Sequence, residues 1–160
     1  MKKILRWLCC LHLLLPNSAH GWKGEVVKVL DGDTLQVTQG KEVIKIRLYG
    51  VDCPESRQKY GHEATEFARK LVLGKKVRVE AVDTDRYGRT VGLVNAGRKM
   101  LNRELVRAGY AWVYPAYCRK QPLCRELSKL EERAKKKKVG LWRAKRPIPP
   151  WEWRKKHHNR

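Results

Sequence analysis

Asp31 and Asp33 bracket a single glycine, Asp52 and Glu55 follow further along the chain, and Arg47 lies between the two groups. Two or three carboxylates that converge without a His or Cys partner suit a hard, oxygen-liking cation such as Ca²⁺ or Mg²⁺. An arginine opposite them supplies a planar fork for a phosphate oxygen. A divalent cation, an arginine and a free carboxylate are together the parts that phosphodiester hydrolysis needs. The first two neutralise charge gathering on phosphorus, and the third takes a proton from the attacking water. Each segment alone has a simpler reading: Asp31-Gly32-Asp33-Thr34 makes a good hairpin turn, and Asp52 and Glu55 would solvate a loop.

The elements that must position these residues are short. Residues 22–49 alternate with period two, which predicts strands over Glu25–Leu30, Asp33–Thr38 and Glu42–Tyr49, with turns at Asp31-Gly32-Asp33 and Gln39-Gly40-Lys41. Folded as a meander about Gly40, Asp33 and Arg47 come opposite one another to within about one residue. Asp52 and Glu55 then lie one loop further along the same rim. Strand parity alone would put Asp33 on the face of Leu35 and Val37, so the turn has to redirect it. Ala64, Phe67, Ala68, Leu71 and Val72 predict an amphipathic helix over roughly 61–73, closed by Gly74. Strands are expected at Lys76–Ala81 and Thr90–Val94, joined by a polar loop with Asp83, Asp85, Tyr87 and Gly88. A short helix over Met100–Ala108 follows, then a last one marked by Leu123, Leu127, Leu130 and Ala134 that runs into Lys135 to Lys138. Five short strands with a helix after the third suit an α+β protein, mainly a five-stranded Greek-key barrel of the OB kind with three helices. From Arg143 to Arg160 the composition changes. Pro147, Pro149 and Pro150 beside Trp151 and Trp153 predict an extended, polyproline-like strap that packs on the domain and ends in a loose basic stretch.

The chain has 37 Lys and Arg against 16 Asp and Glu, a formal charge of +21, yet 42% of its residues are hydrophobic. That combination excludes a disordered polycation and favours a folded domain that attracts polyanions: nucleic acid first, anionic lipid or acidic polysaccharide after it. Met1-Lys2-Lys3, the mostly apolar Ile4 to Leu15 and the small residues Ala19 and Gly21 read as a signal peptide over residues 1–21, in spite of Arg6 and His12 within the run. The apolar stretch is shorter than the roughly 20 residues of a membrane span. The expected product is a secreted or periplasmic monomer over 22–160 with no stable membrane insertion. Its cysteines would be Cys53, Cys118 and Cys124, none at zinc-site spacing, in a compartment that permits pairing. A Cys118–Cys124 disulfide, closing a loop that contains Pro122, is expected to contribute about 2–3 kcal/mol. The alternative leaves two thiols, with Cys124 packed near Leu127.

Read in order, VLDGDT, IRLYGVDCPE, YGHEA, DRYGR and LVRAGYAWV closely resemble the staphylococcal nuclease family over roughly Gly24 to Trp142. The resemblance implies a five-stranded OB-like barrel with three helices, acting as a Ca²⁺-dependent endo- and exonuclease on DNA and RNA. Asp33 and Asp52 resemble the family's metal carboxylates, and the backbone carbonyl of Cys53 its third protein ligand, although Thr is usual there. Glu55 matches the residue taken as general base. Arg47 and Arg89 match the two arginines that grip the scissile phosphate. Tyr117 aligns with one of two tyrosines placed on the nucleotide. Pro115 occupies the other position with Tyr114 beside it, and Tyr87, Tyr110 and Trp112 are further stacking candidates or core residues. Ser56 to Lys59 form a shorter lid than the family's, and His62 is expected to stand exposed at a helix start.

The rival class is a non-catalytic nucleic-acid-binding OB module. Asp33, Arg47, Asp52, Glu55 and Arg89 are all retained, which argues against such decay. A weaker third idea is a cationic polyanion binder at the cell surface. On either nucleic-acid reading, the basic tail and Lys135 to Lys138 would add phosphate contacts that steepen the salt dependence without aiding catalysis. Export should give a mature chain beginning at Trp22, which N-terminal sequencing of the exported protein reads directly; intact Met1 on a soluble cytosolic product would end that expectation.

Overall fold

The computed structural model describes residues 21–157. The expected leader, with Cys9 and Cys10, lies outside the described residues apart from Gly21. Three strands open the fold: β1 (Trp22–Asp31), β2 (Thr34–Gln39) and β3 (Glu42–Leu48). After β4 (Val51–Asp52) and helix α1 (Gly61–Val72) come β5 (Lys76–Thr84), β6 (Thr90–Ala96) and β7 (Lys99–Met100). Helix α2 (Leu101–Arg107), β8 (Trp112–Val113), helix α3 (Leu123–Lys136), a 3₁₀ turn at Gly140–Arg143 and helix α4 (Pro150–His157) complete it.

β1 pairs antiparallel with both β2 and β5, β2 with β3, and β5 with β6. The circle closes where β3 meets β6 in parallel, Ile46 against Thr90 and Arg47 against Val91. Five strands therefore make a closed barrel with helices outside it, the α+β, OB-like class expected from the element order. Inside, Val26, Val29, Leu35, Val37, Ile46, Leu48, Val77, Val79, Leu93 and Val94 are buried. α1 covers β1 with Ala64, Ala68 and Val72, while α2 packs between α1 and α3 with Leu101, Leu105 and Val106 buried. Closing the barrel removes the long free strand edges that an open sheet would expose.

The five main strands and three helices lie where periodicity put them, with ends that differ by a few residues. β1 and β5 run longer than their apolar alternation, because ladder hydrogen bonds continue where both faces become polar. β4, β7 and β8 were not expected; two residues are too few to carry a period.

The tail is a correction. Residues 144–149 are irregular, as a strap would be, but Pro150 starts a helix in place of an extended end. Proline fits a first helical turn because its missing N–H would have no partner there. Glu152 early and Arg154, Lys155, Lys156 and His157 late complement the helix dipole. The basic end is thus ordered through His157. Lys135 already has partners within the fold: its Nζ lies 4.6 Å from the Trp142 ring centroid and bonds Glu131 at 2.6 Å.

Cys118 and Cys124 form the expected disulfide, Cα to Cα 5.5 Å, and Cys53 is the free cysteine among the described residues. A second brace comes from Asn102, which is fully buried. Its amide donates to the Tyr49 carbonyl at 2.9 Å and its Oδ1 accepts from the Val94 N–H at 3.3 Å, tying the end of β3 to β6 and α2. Asn102→Ala strands both backbone groups, each costing about 1–3 kcal/mol when buried without a partner. Urea unfolding should show a loss on the order of 3 kcal/mol, with the slope unchanged.

Candidate active site

Asp33 precedes β2 in the turn from β1, and the register Thr34 to Arg47 puts it across from the end of β3, where the Leu48 N–H donates to the Asp33 carbonyl at 2.8 Å. The turn does redirect it. Asp31 Oδ1 accepts the Asp33 N–H at 3.0 Å, and β1 slips register between Val29 and Asp31. Gly32 permits the approach that follows: a Cβ there would lie 2.8 Å from the Cys53 Sγ and 2.9 Å from the Ala64 Cβ. The Asp33 carboxylate then reaches the next loop, Oδ2 accepting the Cys53 N–H at 2.5 Å.

Asp52 is placed by a ladder that periodicity could not reveal, β4 pairing with β8 so that Asp52 faces Trp112. Arg47 joins the two aspartates. One nitrogen lies 2.9 Å from Asp33 Oδ1 and the other 2.6 Å from Asp52 Oδ1, and the first also donates to the Val51 carbonyl at 3.0 Å. Glu55 follows on the loop, its N–H donating to Gln58 Oε1 at 3.2 Å. Gly61 packs directly against the Glu55 carbonyl oxygen where a Cβ could not fit, which gives the YGHEA segment a structural reason.

Burial pushes the Asp33 carboxyl well above the usual carboxylate range, and Arg47 opposes the shift only in part, with Asp31 and Asp52 adding to it. Asp52 is raised for the same reason, against the pull of Arg154 and Arg47. Burial works against the Arg47 charge, but Asp33 and Asp52 more than reverse that and hold it charged. Burial, reinforced by Asp33, lifts the Cys53 thiol as well, so it is an inert packing residue and not a nucleophile.

Arg89 stands at the seam, one residue before Thr90, which pairs with Ile46 of β3. Its Nε bonds Asp85 Oδ2 at 2.6 Å, and Asp85, itself lowered by hydrogen bonds from Arg89 and Tyr87 that outweigh its slight burial, fixes the turn. Tyr87 is exposed in that turn, with the Arg89 guanidinium 5.4 Å from its ring centroid. No hydrogen bond or ion pair joins Arg89 to Asp33, Asp52 or Glu55. Tyr114 and Tyr117 meet edge to face at 4.7 Å, with Tyr117 exposed. Tyr110 instead packs on Phe67 and Trp112 on Trp142. His62 is exposed in the first turn of α1, as expected.

One participant was not expected. Arg154, on α4, lies 2.8 Å from Asp52 Oδ2 and 2.6 Å from Glu55 Oε1. An arginine in a basic tail carries no signal that separates it from its neighbours, so only the fold reveals it.

Residues 45–144 match the family model described as staphylococcal nuclease homologue. The chain belongs to the staphylococcal nuclease family. The match includes Arg47, Asp52, Cys53, Glu55 and Arg89, while Asp33 lies before its start and Arg154 beyond its end. A protein of Escherichia coli O157:H7 named an uncharacterized endonuclease is 45% identical over 132 residues, covering 82% of this chain and 84% of that one. A Shigella flexneri protein named micrococcal nuclease is 35% identical over 159 residues, covering 92% and 90%. A rice protein named a probable staphylococcal-like nuclease is 42% identical over 125 residues, which is 76% of this chain but 37% of the relative. Within this family the chain is a phosphodiester-hydrolysing nuclease.

The residues fit a divalent cation by the charge they bring together. Asp31, Asp33, Asp52 and Glu55 gather about Arg47 and Arg154, four carboxylates against two guanidiniums, and burial is what raises the carboxyls of Asp33 and Asp52. Among the described residues, no three His, Cys, Asp or Glu side chains form a ready-made ligand group. Two carboxylates and backbone or water oxygens are the donors available, a set that suits Ca²⁺ or Mg²⁺.

The raised carboxyls have a stability signature. In the folded protein they bind protons more tightly than the unfolded value of about 3.9, so their contribution is fullest below that pH and is lost as pH rises through the folded value. In chelator, unfolding free energy should therefore fall as pH rises above about 4, and Asp33→Asn should flatten the fall. Parallel pH profiles for the two proteins would place the titration elsewhere.

Proposed function

We propose that this chain is a Ca²⁺-dependent nuclease that cuts DNA and RNA with little sequence specificity, working as a monomer. The observation that carries the reading is the Asp33–Arg47–Asp52 cluster, a buried island of acid in a chain of net charge +21 with a surface suited to polyanions. Asp33, Asp52 and the Cys53 carbonyl would hold the cation. When bound, Ca²⁺ supplies charge neutralisation at a phosphate oxygen and orders the attacking water. Arg47 is pre-aimed by its two aspartates and offers the phosphate the remainder of its fork. Arg89, held by Asp85 beside the same barrel seam, approaches the phosphate from the β5–β6 turn. Charge that peaks in the transition state is what both guanidiniums then stabilise.

Glu55 is the base. It is more exposed than either aspartate, as a group must be to meet a water and pass its proton on. Tyr87, Tyr114 and Tyr117 give exposed or half-exposed rings for bases to stack on, which needs no particular sequence. Export through the leader belongs to the same proposal. Among the described residues no helix is long and apolar enough to cross a membrane.

Glu55→Gln keeps the size of the side chain and its capacity for hydrogen bonds while removing the base, so the cleavage rate should fall on the order of 10²–10⁴-fold. Binding to DNA, measured at equal salt, should hold. Asp33→Ala should remove the Ca²⁺ dependence and leave cationic DNA binding nearly intact. If the wild-type chain binds DNA but shows no Ca²⁺-stimulated cutting that Glu55→Gln lowers, the non-catalytic OB module takes the place of the enzyme.

A further inference from the structure

Arg154 engages the two carboxylates that catalysis would need most. Its guanidinium grips Asp52 with both nitrogens, at 2.8 and 3.3 Å, and one of them also bonds Glu55 at 2.6 Å. These are oxygen atoms that a cation and an attacking water would use. Burial works against the Arg154 charge, but Asp52 and Glu55 outweigh it and keep the guanidinium charged. A charged guanidinium thus lies directly against both carboxylates.

The same helix covers the aromatic side of the site. Trp151 stacks on Tyr114 with ring centroids 4.9 Å apart and planes 5° from parallel, and meets Trp112 edge-on at 5.8 Å. A stacked nucleobase would take that parallel arrangement on the Tyr114 ring. Ahead of the helix, the Gln58 amide in the lid loop donates to the Ile148 carbonyl at 2.7 Å. Three contacts therefore place α4 over the site: a guanidinium where positive charge is wanted, an indole where a base would stack, and a hydrogen bond from the lid.

We propose that α4 is a built-in competitive plug, with Arg154 standing in for the divalent cation and Trp151 for a nucleobase, and that loading the site lifts the helix away. The proposal rests on the metal-dependent reading above. Its energetics follow from what each side exchanges. Cation binding must break the Arg154 contacts to Asp52 and Glu55, and substrate must break the Trp151 stack, while freed Arg154 keeps its charge for the polyanion. The metal-free enzyme is held closed by groups that the substrate complex would replace one for one.

Calorimetric titration of the full chain with Ca²⁺ alone tests this without any turnover. Arg154→Gln should bind Ca²⁺ about tenfold more tightly than wild type, since it removes the competitor and leaves Asp33, Arg47 and Asp52 in place. Trp151→Ala loosens the helix from a side that touches no carboxylate and should shift affinity the same way by a smaller factor. Trypsin sites at Lys155 and Lys156, present in both wild type and Arg154→Gln, give a second readout. Added Ca²⁺ should speed their cleavage in wild type and change it little in Arg154→Gln. Ca²⁺ binding by wild type with unchanged or weaker binding by both variants, or Ca²⁺ protection of the trypsin sites, overturns the plug and leaves the metal reading standing. Absence of Ca²⁺ binding from all three proteins overturns the metal reading, and the plug with it.

Discussion

Everything at this rim depends on one guanidinium being shared. Asp33 and Asp52 are both buried, and two carboxylates that close would repel if nothing lay between them. Arg47 separates them, and the nitrogen that meets Asp33 also donates to the Leu48 and Val51 carbonyls at 3.3 and 3.0 Å. It therefore fixes the bend by which the chain leaves β3, turns at Gly50 and enters β4. An interaction of this kind is weak support for stability, because taking three charges out of water costs about what their attraction returns. Its value lies in position. A single side chain holds the first turn, the end of β3 and the start of the Cys53–Glu55 loop in mutual register.

Around that centre the fold is a frame of braces that meet the same loop. Asn102 holds the Tyr49 carbonyl, and the Tyr49 hydroxyl accepts the N–H groups of Arg119 and Lys120 at 2.9 and 2.8 Å. Gly50, at φ 71°, lies against the Cys118 sulfur, so the disulfide backs the turn that a larger residue would displace. Glu131 on α3 accepts the Val113 N–H at 2.9 Å and steadies the β4–β8 ladder beneath Asp52. A site that must place groups to within a fraction of an ångström needs such support from elements that touch no substrate.

Those parts that depend on local arithmetic were readable in the sequence. A two-residue turn near Gly40 is enough to set Asp33 against Arg47, and an apolar stripe is enough to set α1 on the barrel. Asn102 was not readable, since an asparagine on an amphipathic helix carries no mark of being turned inward. Arg154 was hidden for a different reason. A run of Trp, Arg, Lys and His after three prolines has the composition of a solvated tail, and its contacts cross about a hundred residues of sequence. The β4–β8 ladder failed on length alone. Periodicity reports faces, and these features depend on distant partners.

The parallel seam between β3 and β6 also bears on the order in which the molecule can assemble. The β1–β3 meander is local and can form early, carrying Asp33 and Arg47 with it. Joining β3 to β6 must wait until α1, β5 and their turns have been laid down, because such long-range pairing bears the entropy of the intervening loop before any reward. Thr90, the residue after Arg89, reaches Ile46 only at that closing step. A half-made chain thus holds Asp33 and Arg47 together in the meander while the turn that carries Arg89 is still apart from them, and only a shut barrel presents the whole rim at once.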